Sequence, residues 1–233
     1  KRFLIKLMRV FFFLLFSKLS VGWKNRIYNG QFIVYHEGNR AGEIAANGSA
    51  VAGILQRIVL AKFPYVFDFN RGVTENQLKL TQAKVAAKCA LDGKTSGVMV
   101  NAERFILPTV WNVDNYWLNP ALSSLPISII KNDIESLIQA NFAESGSGRI
   151  GIEEVYGCLE RKYGFAPCNL TAFICAFLLK DYSLDPYRYL DERGMSGSID
   201  HEKLSEMIKN CMDIKKPTNS FIVKMTSEEM AFY

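Results

Sequence analysis

The sequence predicts an α+β protein. Apolar residues at helical spacing, bounded by recognisable caps, dominate the carboxyl half, and a period-two stretch between Trp23 and Ile44 occupies the amino half. After residue 126 the order is three helices followed by two strands, with a further helix between the strands. That is the order of a winged-helix-like domain with a helix inserted in its wing. The expected organisation is a basic amphipathic helix over 1–21, an α+β domain over 22–125 built on a small β-meander with helices, and the winged-helix-like domain over 126–233.

The first segment carries an unusual charge. Residues 1–30 hold Lys1, Arg2, Lys6, Arg9, Lys18, Lys24 and Arg26 and no acid. Removing these seven from the 28 bases leaves 21 against 23 acids, a net charge of −2 for the rest of the chain. A broadly basic nucleic-acid-binding body is therefore not indicated. Within residues 1–21 the bases Arg2, Lys6 and Arg9 share one helical stripe, and Phe3, Leu7, Phe11 and Leu14 share the opposite one. Three readings fit: a helix packed on this protein or on more of it, a helix lying on an anionic membrane surface through residues 1–16, and a signal peptide lacking a clean cleavage site. The apolar run is too short to span a bilayer, which needs about 20 residues.

Between Trp23 and Ile44, Trp23–Tyr28 faces Gln31–Tyr35 across Asn29-Gly30, a favoured two-residue hairpin turn. Glu37–Arg40 reads as a second turn into a short third strand, and a helix is expected from Ser49 to Lys62, stopped by Pro64. Phe63–Phe69 is an aromatic connector that suits packing better than base stacking. Thr74 with Gln77 reads as a capping box for a helix through Leu91. Gly93-Lys94-Thr95 resembles the end of a phosphate-binding loop, but position 88 is Lys and a helix precedes the glycine, so it reads as a helix C-cap. Val98–Val100 suggests a strand, and Trp111, Tyr116 and Trp117 suggest core anchors.

From Ser128, with Ser128 or Asn132 as cap, Ile130, Ile134, Leu137, Ile138 and Phe142 form one helical face, and Ser145–Gly148 ends it. The next helix, Ile152–Tyr163, presents Val155, Tyr156, Leu159 and Tyr163 inward and stops at Gly164 and Pro167. Its successor is expected from Asn169, as N-cap, to about Tyr182; being apolar on almost every face, it is a core helix. Tyr187–Leu190 is a strand, Asp191–Gly197 a turn, Asp200 the cap of a helix to Met212, and Ser220–Met225 a strand. Thr226 to Met230 then opens another helix through a capping box. A helix begun at the end, and a start at Lys1, lead us to expect a piece of a longer protein.

A helix that reads DNA in the major groove needs Arg, Lys, Asn or Gln on an exposed face. Residues 169–182 offer almost no such face, and their only basic residue is Lys180, at the wrong end for base contacts. Arg188 and Arg193 in the wing could touch phosphate, which is unspecific. Lys180, Arg188 and Arg193 are thus the candidate nucleic-acid contacts, and interaction or scaffolding is the favoured role.

Chemistry is thinly represented. The paired acids Glu153-Glu154, Asp191-Glu192 and Glu228-Glu229 are adjacent and suit water, and His36 and His201 lie outside any motif. No nucleophile elbow, Walker A sequence or metal-ligand spacing is present, so no catalytic residue, metal or cofactor is expected. Five cysteines without a C-x-x-C pair fit buried thiols in a reducing, cytoplasmic setting.

Tyr163-Gly164-Phe165, Pro167–Phe173, Phe177–Tyr182, Pro186–Tyr189 and Phe221–Thr226 together resemble the carboxyl-terminal region of large bacterial P-loop ATPases, nearest those of BREX-type phage-defence systems. The resemblance covers mainly residues 150–233. It implies a non-catalytic accessory region of a cytoplasmic ATPase, whose nucleotide site lies upstream, coupling nucleotide state to a protein or DNA partner. The alternative is a free-standing winged-helix adaptor, or a DNA-binding protein with weak phosphate contacts.

Overall fold

The computed structural model describes residues 32–36, 38–65, 77–94, 110–144, 148–213, 215 and 218–231. The chain divides into two compact units, Lys1–Lys62 and Phe63–Tyr233. The expected helix over 1–21, the strand Trp23–Tyr28 with its Asn29-Gly30 turn, the cap at Thr74, the strand Val98–Val100 and the stop at Ser145–Ser147 lie outside the described residues.

In the first unit, β1 (Phe32–His36) pairs antiparallel with β2 (Asn39–Ala45), and α1 (Gly48–Lys62) follows. Phe32 faces Ala45, Ile33 faces Ile44, and the register slips between Val34 and His36. Gly42 has φ +78° and sits under Ile33 and Tyr35; a Cβ there would lie 2.4 Å from Ile33 Cγ2, so only glycine fits. Asn47 caps α1 by accepting the Ala50 N–H at 2.9 Å. Arg57 on α1 pairs with Glu43 on β2. Ala45 and Ile54 are buried between helix and hairpin, and Ile33, Tyr35 and Ile44 stay exposed on the other side.

The second unit begins at Phe63, ahead of the expected division between 125 and 126, because the helix around Ala86 packs with elements beyond residue 168. Its elements are α2 (Ala83–Leu91), α3 (Pro126–Glu144), β3 (Arg149–Gly151), α4 (Ile152–Tyr163), α5 (Asn169–Leu179), β4 (Tyr187–Asp191), β5 (Ser196–Ser198), α6 (His201–Cys211), β6 (Ser220–Lys224) and α7 (Ser227–Ala231). Short 3-10 turns precede α2, precede α3 at Tyr116–Leu118 and follow α5 at Lys180–Tyr182. The sheet order is β3-β6-β4-β5, all antiparallel. With seven α-helices and six strands among the described residues, the chain is α+β.

Several expected signals are present as hydrogen bonds. Gly164 (φ +75°) donates to Glu160 O and Phe165 to Leu159 O, closing α4 in the left-handed cap that the Tyr-Gly pair predicts. Gly93 and Lys94 close α2 likewise, onto Ala90 O and Cys89 O. Asp200 caps α6 through Lys203 N–H at 2.6 Å, and Thr226 with Glu229 forms a reciprocal capping box at α7.

Four details differ. Ser128 and Asn132 lie inside α3, which starts at Pro126, where proline's missing N–H costs nothing. The helix expected from Thr74 onward starts only at Ala83, because Lys79 is extended (φ −120°, ψ 123°). Asn169 is not the cap of α5; Cys168 holds that position, and Asn169 instead bonds residues 77–82. Two short strands, β3 and β5, were not expected: at three residues each, with glycine in both, neither shows a period.

Candidate functional site

The unit is organised around α5, whose eleven residues are all buried. The reason is in its sequence, NLTAFICAFLL, which has no polar stripe. The covering element is α2. Its Ala83, Ala86, Ala87 and Ala90 recur at helical spacing and are at most 1% exposed, so α2 lies along α5 and against α6 on a face of methyl groups. At one end Asn169 pins the chain leading into α2, accepting from Lys79 N–H at 3.1 Å and donating to Gln77 O at 2.9 Å. At the middle, Phe177 is stacked between Trp111 (centroids 5.0 Å apart) and Tyr116 (5.6 Å). A second copy of the Ala stripe's logic is absent on α5's partners α4 and α6, which pack through Val155, Leu159, Leu204 and Ile208.

The carboxyl end of α5 carries a buried charge. Lys131 of α3 is completely inaccessible, and its ammonium has three acceptors: Glu135 Oε1 at 2.6 Å, Leu178 O at 2.6 Å and Asp181 Oδ2 at 3.1 Å. Three donors meet three acceptors, so the cation is fully bonded. It also lies 4.6 Å from the Trp117 ring centroid and 5.6 Å from that of Tyr182. Tyr182 donates to Glu135 Oε2 at 2.6 Å. Burial, and then that bond to Glu135, hold the Tyr182 phenol far above its ordinary pKa, so it acts only as a neutral donor. The cluster ties a helix C-terminus, where a cation is favourable, to α3. It has no approach from solvent at its lysine, so its chemistry is structural.

A third polar group occupies the α2–α6 seam. Glu202, in the first turn of α6, takes Lys84 and Lys88 of α2, each at 2.6 Å. The two lysines are one turn apart, which is why both reach a single carboxylate. His201 Nδ1 lies 2.8 Å from Asp92 Oδ1 at the end of α2. The hydrogen bonds from Lys84 and Lys88 hold the Glu202 carboxyl down to about 2, and the bond to His201 lowers Asp92. Both are depressed acids, so each contributes stability that is lost in acid; the contribution of Glu202 is present above its ordinary value of 4.5 and fades as pH falls toward about 2. We expect the urea midpoints of the wild type and Glu202→Gln to differ at neutral pH and to converge over that acid range. A constant difference down to pH 2 would contradict the geometry.

The candidate nucleic-acid contacts sit on three separate elements. Lys180 follows α5, its ammonium 5.3 Å from the Phe177 ring centroid. Arg188 lies within β4 and donates from Nε to Met225 Sδ at 2.6 Å. Arg193 is exposed in the turn between β4 and β5, its backbone N–H held by Asp191 Oδ1 at 2.9 Å. The register aligns Arg149, Val223, Arg188 and Ser198 in one row across the sheet, adding Arg149, whose guanidinium lies 4.7 Å from the Phe221 centroid. Sequence reasoning missed Arg149 because β3 is too short to announce itself. It also missed Lys131, whose spacing to Glu135 reads as an exposed pair and whose partner Asp181 is fifty positions away.

Among the described residues no group of three or more His, Cys, Asp or Glu side chains could hold a metal ion, and no helix is long and apolar enough to cross a membrane. None of the five cysteines is in a disulfide; Cys168, Cys175 and Cys211 are buried, and burial pushes the Cys211 thiol up to about 12. No protein-family model matches the chain, and neither do curated proteins or solved structures.

Proposed function

We propose that residues 63–233 form a winged-helix-like interaction module, a non-catalytic accessory region that engages a protein partner and does not read DNA sequence. The order α3, β3, α4, α5, β4, β6, with β3 and β4 flanking β6 and with α6 inserted before β6, supports the winged-helix-like reading. One observation carries the functional part. The helix in the recognition position, α5, is buried at every residue beneath α2 and offers no side chain to a base edge. The fully bonded Lys131 cluster and the raised thiols support a scaffold role over a catalytic one. The resemblance of residues 150–233 to accessory regions of bacterial phage-defence ATPases, and the buried thiols, fit a cytoplasmic module that couples nucleotide state in a larger assembly to its partner.

A salt series with labelled duplexes of two unrelated sequences tests this. We expect equal, weak affinities for the two, falling steeply with salt, or no binding. If Arg188 and Arg193 contribute through phosphate, replacing both with alanine flattens the log–log salt slope by about 2, at ~0.9 per phosphate contact. A preference for one duplex by a factor of about 10³, the low end for specific binders, would overturn the reading.

A further inference from the structure

The first unit carries the chain's positive charge and leaves large apolar side chains uncovered. Lys1–Lys62 holds ten Lys and Arg against Glu37 and Glu43, a net charge of +8. Phe63–Tyr233 holds the other 18 bases against 21 acids, a net charge of −3. We infer that the first unit docks on an anionic lipid membrane, with the outer face of the β1–β2 hairpin as its apolar contact.

A hairpin packed on one helix ordinarily turns a polar face to water. Here alternation and register place Ile33, Tyr35, Gly42 and Ile44 on the face turned away from α1, and none of the four is charged. Ile33 is 51% exposed, Tyr35 67% and Ile44 62%. The two isoleucines face each other across the strands and Tyr35 lies beside Ile33 over Gly42, so the three form one patch. The helix repeats the pattern: α1 is largely aliphatic, yet only its Ile54 is buried, and Leu60 is 46% exposed.

The charge is delivered to the same place. Lys24 and Arg26 lie within eight residues of Phe32, so even a fully extended chain keeps them within about 30 Å of β1. Glu43, the acid on β2, is taken by Arg57. A surface of anionic headgroups accepts aliphatic side chains and diffuse positive charge together, and it demands no matching shape. Tyr35 suits the headgroup level, where its ring is buried and its hydroxyl stays wet. A nucleic acid meets the charge but places nothing on Ile33 and Ile44, since its stacking platforms are aromatic. A second copy of the unit would set +8 against +8.

The test is sedimentation of the full chain with vesicles of phosphatidylcholine, with and without phosphatidylglycerol, across a salt series. Binding should require phosphatidylglycerol and weaken as salt rises. Ile33→Asp/Ile44→Asp should lower the affinity by about tenfold or more, because the patch then resists leaving water. Tyr35→Asp, at the most exposed of the three, acts in the same direction and serves if the double variant unfolds. Four results overturn the inference: no binding to either vesicle, equal binding to both, affinity unchanged in these variants, or duplex DNA binding more tightly at the same salt and weakening as much in them. Unchanged vesicle binding with a lowered urea midpoint for Ile33→Asp/Ile44→Asp would assign the patch to the chain's own packing instead.

Discussion

Lys131→Ala should destabilise the carboxyl-terminal unit by about 3–5 kcal/mol, the usual cost of breaking a buried ion pair from one side. The substitution leaves Glu135, whose side chain is only 18% exposed, without its cation, and it strips the Leu178 carbonyl of its donor. Asp181 is half exposed and recovers water, so Glu135 and Leu178 account for most of the effect. Urea denaturation followed by far-UV circular dichroism measures it. The companion Lys131→Met/Glu135→Leu should recover much of the loss, because an apolar pair of similar volume needs no charge compensation. A loss under about 1 kcal/mol for Lys131→Ala, as for a solvated surface pair, would show that the cluster is not the anchor described.

Phe177→Ala should cost a similar amount, about 3–5 kcal/mol, by a different mechanism: a cavity in a close-packed core. Phe177 is 1% exposed and supports two aromatic neighbours, Trp111 and Tyr116, which sit on it at 5.0 and 5.6 Å. Removing the ring deprives both of a stacking partner, so the near-ultraviolet circular dichroism should weaken along with the urea midpoint. Phe221→Ala is the control, since Phe221 is only half-buried on the sheet and covered by Arg149. If the two variants melt alike, the stacked core around α5 is not the principal source of stability in this unit.

What the sequence disclosed follows from how far each interaction reaches along the chain. The caps at Gly93, Gly164, Asp200 and Thr226 are settled within six residues, and all were legible. So was the burial of α5, because a helix apolar on all sides has one physical solution. The role of Asn169 was not legible, because its partners lie some ninety positions earlier. The same holds for Lys131 and Asp181, and for Glu202 with Lys84 and Lys88, all pairs that only the fold brings together. The cover over α5 escaped notice for a related reason: alanine spacing in α2 is a weak apolar signal, and its meaning appears only against a neighbouring helix. The site thus lies almost wholly in long-range pairs, which a pattern of local periods does not register.

The place of β6 in its sheet has a consequence for how the protein is made. β6 is bonded on one edge to β3 and on the other to β4, and it is the last of the three to be synthesised. While the ribosome is still completing α6, β3 and β4 present open edges that nothing yet joins, a state in which strands pair readily with other chains. Closing the sheet must then bring together segments separated by α4, α5 and α6, a slow, high-contact-order step. Helices α4 and α5 can form locally beforehand, but the nascent unit stays unsealed until the Ser220–Lys224 segment emerges. The exposure of those edges therefore lasts at least as long as translation through the α6–β6 connection, with the closing step added to it.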